Sequence, residues 1–235
     1  MNIKSIALAT MLATGIATVN AQELKGKKYV GGNFSLGVNS ENEKDDKFSK
    51  DNLNFEMNVS GGYFFTNKMA LGFFLKTAFS NYTNSSKTSF SDIDDKNISN
   101  QYAGGVELTK FITIKNKFSF AFKNQLVFSI MNSDYNYTSD NINGNFNSIT
   151  KSTTRTFGYN FIPELHYFVS EKFSFSAQMG SAGINYGNTE EDDFNKQTFN
   201  GVMLENQSVT TKSTEFSGDV RFSLRQFSLG LVYYF

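Results

Sequence analysis

Apolar residues and small or polar residues alternate one by one along most of this chain, in segment after segment. Only an extended strand sends every second side chain to the same face, so this pattern excludes a helical fold. In the last stretch Phe227, Leu229, Leu231, Tyr233 and Phe235 share one face, and Ser228, Gly230, Val232 and Tyr234 the other. Seven earlier stretches carry the same signature, led by Val30, Phe34, Leu36 and Val38; Leu53, Phe55, Met57 and Val59; Leu71, Phe73 and Leu75; Tyr102, Val106, Leu108 and Ile112; Phe118, Phe120, Phe122, Leu126 and Phe128; Phe157, Tyr159, Phe161, Leu165 and Tyr167; and Phe173, Phe175, Ala177 and Met179. Composition agrees: 26 Phe and 11 Tyr among 235 residues suit strands, and a single Pro leaves ladders unbroken. The absence of Cys excludes disulfides, thiolate metal sites and an acylated amino-terminal Cys. A formal net charge of zero leaves no electrostatic footprint for nucleic acid.

Residues 1–21 read as an export signal. Lys4 gives the positive start, Ile6 to Ala17 is mostly apolar, and Val19-Asn20-Ala21 offers small residues for cleavage. The apolar run falls short of the ~20 residues that a spanning helix needs. The expected mature unit is therefore one domain, residues 22–235, and if it enters a membrane it does so as strands.

Connections alternate in length. Tight turns are expected near Asn67, Asn116 and Glu171, and long polar loops over roughly 40–52, 83–100, 132–153 and 187–213. With a final strand drawn from Phe216 onward, the expected fold is all-β: an eight-stranded antiparallel up-and-down barrel. Two irregularities are predicted. Pro163 removes a ladder donor within the sixth strand, and in the eighth the apolar residues change from even positions (Phe216, Val220, Phe222, Leu224) to odd ones (Phe227, Leu229). An extra residue near Arg225 and Gln226 would reconcile them as a β-bulge.

Alternation alone fits two barrels, a soluble one with its apolar face inside and a membrane one with that face outside. The polar face favours the second. It mixes Gly, Ser and Ala with a few long ions that could meet: Glu107 opposite Lys123, Glu56 diagonal to Lys76, Glu164 beside Lys123, and Asp219, Arg221 and Arg225 pointing the same way on the last strand. Enclosed ions need partners, because an unpaired buried charge costs several kcal/mol. Aromatic residues also gather near the strand ends, including Tyr63, Phe65, Phe111, Phe118, Tyr233 and Phe235 near the turns and Tyr102, Phe157, Tyr186 and Phe216 near the loops, as interfacial girdles do.

The final strand resembles the closing strand of Gram-negative outer-membrane barrels, which has the form polar-x-Gly-x-x-aromatic-x-aromatic. Ser228, Gly230, Tyr233 and Phe235 fill that form. The chain is similar in layout to the small barrels of the OmpX and OmpA transmembrane-domain type. That resemblance implies recognition of the final strand by the barrel assembly machinery, a place in the outer membrane among lipid and lipopolysaccharide, short turns in the periplasm and long loops outside. It implies an envelope-structural or surface-interaction role, with a possible surface partner at the loops and no periplasmic domain after the closing strand. A narrow porin-like channel is the alternative.

Some outer-membrane barrels are enzymes that use a His with a Ser or an acid. Here the single histidine, His166, shares a face with Glu164 and is predicted opposite Ser176. Two positions on one face of a strand are poor grounds for catalysis, so the expectation is no enzyme. A lipid-modifying activity at His166 remains the alternative. The acidic stretches at 41–46 and 190–193 lack the spacing and turn glycine of a calcium loop, and no glycine loop could cradle a phosphate, so no cofactor is expected.

Overall fold

The computed structural model describes residues 23–42, 48–87, 91–115, 117–141, 144–178, 180–199, 202–222 and 228–235. The expected export signal and the bulge near Arg225 and Gln226 lie outside them. The regular elements are all strands: β1 (Lys28–Asn42), β2 (Phe48–Phe64), β3 (Met69–Lys87), β4 (Ser91–Lys115), β5 (Phe118–Asn141), β6 (Gly144–Phe168), β7 (Phe173–Gln178), β8 (Gly180–Phe199), β9 (Val202–Phe222) and β10 (Ser228–Tyr234). Among the described residues no helix is long and apolar enough to cross a membrane, which says nothing of crossing by strands.

The sheet closes on itself. β1 to β6 pair each with the next, β7 pairs with β6, and β10 pairs with both β7 and β1, from Tyr29↔Tyr234 to Phe34↔Leu229. All pairings are antiparallel, so the chain runs up and down around a ring. Above β7, β8 takes over the edge of β6 and carries β9 on its far side. The turns at 65–68 and 169–172 mark what we term the lower end.

Ten strands stand where eight were expected, and proline chemistry explains one of the extra breaks. Pro163 sits in an unbroken ladder with β5, opposite Phe122. On its other side the ladder breaks: Glu164 pairs with Gln178 of β7, but Phe161 pairs with Ala182 of β8, one residue out of step. Pro has no N–H to give there, and Gly180 takes up the slack at φ +135°, a conformation that favours glycine.

The expected long loops are a second correction, because most of their residues continue the ladders. β4 and β5 stay paired up to Ser91↔Asn141, β5 and β6 to Asn141↔Gly144, and β8 and β9 to Phe199↔Val202. In these segments both faces are polar, so there is no apolar period to read. Register is held instead by short side chains bonding across strands: Ser133 to Asn97 (2.8 Å), Thr210 to Asp192 (2.7 Å) and Thr214 to Asn188 (2.8 Å). At 25 residues β4 and β6 are the longest strands. Such a strand is about 80 Å long, or about 60 Å along the axis at a tilt of ~40°, more than twice the ~25 Å apolar band of an outer-membrane barrel.

The two faces differ in kind. Phe73 and Leu75 on β3 are 69% and 72% exposed, while Glu107 and His166 are each 1% exposed on the other face. Phe34, Leu36, Met57, Leu71, Leu126, Phe128, Phe157 and Leu229 are likewise outward and exposed. The ring therefore turns its apolar side to the surroundings and its ions inward.

Candidate functional site

Two layers fill the lower interior, and cross-strand rows build both. In the first row Tyr29, Gly62, Gly72 and Glu107 are consecutive partners on β1 to β4. The Tyr29 ring lies across the two glycines to reach Glu107, to which its hydroxyl donates a 2.7 Å hydrogen bond. A Cβ on Gly62 would come within 2.7 Å of the Tyr29 ring, and one on Gly72 would collide with its hydroxyl. Gln125 Nε2 donates to the other Glu107 oxygen at 2.9 Å. This buried carboxylate thus holds two donors.

Beside it, Lys123 Nζ lies 3.0 Å from Glu164 Oε1, with both side chains largely buried. His166 Nε2 is 3.1 Å from the second Glu164 oxygen, and its Nδ1 is 3.2 Å from Ser174 Oγ. Ser174 Oγ in turn meets the Tyr234 hydroxyl at 2.9 Å. A continuous polar path therefore joins β5, β6, β7 and the closing strand β10.

Some expected sites come together and others do not. Glu56 and Lys76 form a 2.9 Å pair, diagonal as anticipated, but higher in the interior and about a third or more exposed. Glu107 is not opposite Lys123: the register sets Gln125 against Glu107, and Thr109 against Lys123. That register is symmetric about position 116, the expected turn centre, which makes Lys123 a diagonal neighbour of Glu107 and its direct partner Gln125; the irregularity between Thr113 and Lys115 is confined to the end of the ladder beside the turn. Asp219 pairs across the ladder with Gly183 and Arg221 with Ser181, while Arg225 lies outside the described residues. His166 is opposite Ser176, as expected, yet the hydroxyl it touches is that of Ser174.

Below the ions lies an apolar floor. Tyr29, Phe64, Phe111, Phe168 and Tyr234 point inward and are all under 9% exposed, with Phe64 at 0%. Their rings pack with centroids 5.3 to 6.0 Å apart, Phe64 touching Tyr29, Phe111 and Tyr234. Leu24 joins them from the segment before β1, which is pinned to the end of β2 by hydrogen bonds from Gly26 to Phe64 and from Phe64 to Lys27. Phe111 is thus not part of an outer girdle. Its odd position on β4, in step with Glu107 and Thr109, was the available signal; Phe64 follows Gly62 in the same way.

The terminal strand uses its expected residues in three ways. Gly230 pairs with both Ser176 and Asn33, where a Cβ would come within 2.6 Å of the Ser176 hydroxyl. Ser228 accepts from Asn33 Nδ2. Tyr233 packs on Phe173 at 4.8 Å and stacks with the exposed Phe235 at 5.8 Å.

No protein-family model matches the sequence, and no curated protein matches it. Among solved structures, the chain is similar to the outer membrane protein OprG from Pseudomonas aeruginosa, with 14% identity over 92% of this chain and 99% of that one and a TM-score of 0.37. It is also similar to a major outer membrane protein from Thermus thermophilus, with 9% identity over 89% and 99% of the two chains and a TM-score of 0.42. A third is Ail, the attachment invasion locus protein of Yersinia pestis, with 12% identity over 90% and 99% and a TM-score of 0.28.

Among the described residues no group of His, Asp and Glu side chains is placed to hold a metal ion. Chemically, the lower interior can seal and brace. Glu107, Lys123 and Glu164 each meet an opposite charge or a strong donor, and the aromatic layer excludes water beneath.

Proposed function

We propose that this protein is an integral outer-membrane β-barrel of eight spanning strands, closed at its periplasmic end and without catalytic activity. It acts through the tall polar ribbons it raises outside the cell. In this reading β7 with β8, and β9 with β10, are single strands interrupted partway, and residues 1–21 direct export. The inverted surface carries the proposal: Phe73 and Leu75 face out while Glu107, Glu164 and His166 are enclosed. In water such a surface would aggregate, whereas in hydrocarbon it is the stable arrangement. The lipid partners are outer-membrane phospholipid and lipopolysaccharide, and the closing motif at Ser228, Gly230, Tyr233 and Phe235 addresses the assembly machinery.

Insertion is tested by refolding into lipid vesicles with a small fluorophore attached to Cys placed at Leu75, outward, or at Ser129, which is 5% exposed and inward. Quenching by brominated lipid at position 75 alone is expected. Equal quenching at both would end this reading.

The aromatic floor favours a plugged barrel over the narrow channel. Planar bilayers should show no steady conductance, and Phe64→Ala should introduce one. Catalysis at His166 is disfavoured because Ser174, the hydroxyl it meets, is 0% exposed and already bonded to Tyr234. His166→Asn should leave lipid A and phospholipid products unchanged, while a changed product profile would revive the enzyme.

A further inference from the structure

The outer face of the lower rim carries charge of one sign. Direct partners share a face, so the row Lys28, Tyr63, Leu71 and Leu108 on β1 to β4 points outward throughout, and so do Met69 and its partner Lys110 one step lower. Over residues 28–34, 53–63, 69–79 and 102–114 the outward positions hold these two lysines and no Asp or Glu. The foot of β3 brings a further cation to Lys110. Lys68 precedes Met69, and its carbonyl accepts from the Phe111 amide at 2.7 Å, so Lys68 and Lys110 stand one rung apart on neighbouring strands. Both are exposed.

Several lysines elsewhere are matched with acids: Lys123 with Glu164 and Lys76 with Glu56 in the interior, Lys87 with Asp92 and Lys212 with Glu190 on the ribbons. Among the described residues neither Lys68 nor Lys110 pairs with a carboxylate. At the next turn Lys117 lies over the Tyr167 ring, 6.0 Å from its centroid. Two ammonium groups side by side repel, and an anion between them removes the repulsion. Above the two lysines on the same face runs an apolar track two strands wide, Met69, Leu71 and Phe73 beside Leu108 and Val106, with all but Met69 exposed. A lysine at the foot of such a track lays its stem along apolar surface and delivers its charge to the headgroup level. A soluble polyanion would meet the charge and leave the track bare. A molecule with a phosphate at one end and acyl chains behind it meets both.

We infer that Lys68 and Lys110 seat the phosphate of an anionic glycerophospholipid whose chains lie along Leu71, Phe73, Val106 and Leu108. The inference rests on the membrane reading and names the lipid class that the short-turn end selects. The chain has no Cys, so a fluorophore can be attached at Leu108→Cys, beside the seat, or at Leu229→Cys, outward on β10 away from it. The protein is refolded into phosphatidylcholine vesicles that contain the same minor share of either brominated phosphatidylglycerol or brominated phosphatidylcholine.

At Leu108→Cys the brominated phosphatidylglycerol should quench as if enriched about fivefold over its share, the effect of one lysine near an anionic headgroup. At Leu229→Cys the two brominated lipids should quench alike. Lys68→Gln with Lys110→Gln should erase the preference, and Lys68→Arg with Lys110→Arg should keep it. Equal quenching by the two lipids at Leu108→Cys overturns the inference, as does a preference that survives the double Gln variant. Retention on sedimented peptidoglycan that the double Gln variant abolishes, without a preference for phosphatidylglycerol, overturns it in favour of the cell wall. If neither brominated lipid quenches at either position, the membrane reading fails instead, and the seat with it.

Discussion

The lower interior and the upper ribbons are parts of one continuous sheet, yet they are held by different forces. Below, Phe64, Phe111, Phe168 and Tyr234 pack into a closed layer under two buried carboxylates whose partners are a lysine, a histidine, a tyrosine and a glutamine. Above, the described contacts are backbone ladders, short Ser, Thr and Asn bonds and a ring pair between Tyr137 and Phe146, and ion pairs such as Lys212–Glu190 (3.0 Å) lie mostly in solvent. A backbone ladder sets direction and register in both regions. Only the lower one adds the enclosed contacts whose loss is costly, so stability is concentrated in the half nearer the short turns.

Four changes would sharpen or break that contrast. Phe64→Ala should be the most damaging, destabilising by about 3–5 kcal/mol through the cavity it leaves, as read by urea unfolding of the inserted protein. Lys123→Ala should cost nearly as much, on the order of 3–5 kcal/mol, because Glu164 keeps its burial and loses its lysine. Tyr29→Phe removes one donor from Glu107 and should cost about 1–3 kcal/mol in the same measurement. Lys76→Ala breaks a half-wet pair with Glu56 and should change stability by no more than about 1 kcal/mol. If the Lys76 and Lys123 variants lose equal stability, the division into a bracing floor and a lightly held upper part is wrong. Hydrogen exchange offers an independent check: amides of Tyr135 to Asp140 and of Asn145 to Ser148 should exchange well before those of Ser119 to Ser129.

Much of the lower half was legible in the sequence because one face there is apolar and the other is not. At Leu71, Phe73 and Leu75 a period of two is enough to turn all three outward, and all three are exposed. The diagonal of Glu56 and Lys76 followed from strand geometry and a symmetric turn. The partner of Glu107 was open to the same reading, since a turn centred on position 116 sets Gln125 against it and leaves Lys123 on the diagonal, two residues from the expected match. The tall ribbons, by contrast, were illegible. Asn, Ser, Thr and Asp occupy both faces there, and such residues read equally as loop or as solvated strand until the ladder is seen. Tyr234 hid behind its neighbours: the aromatic signature drew attention to Tyr233 and Phe235, while the inward tyrosine between them ties the closing strand to Ser174.

The tyrosine that lies over two glycines has a bearing on how this sequence can diverge. Positions 29, 62, 72 and 107 come from four strands, yet they behave as one mechanical part: a bulkier residue at 62 or 72 evicts the ring, and an evicted ring strands the acid. Drift at any one of them should be rare unless the others move too, and anyone hollowing the molecule into a pore would have to redesign all four together.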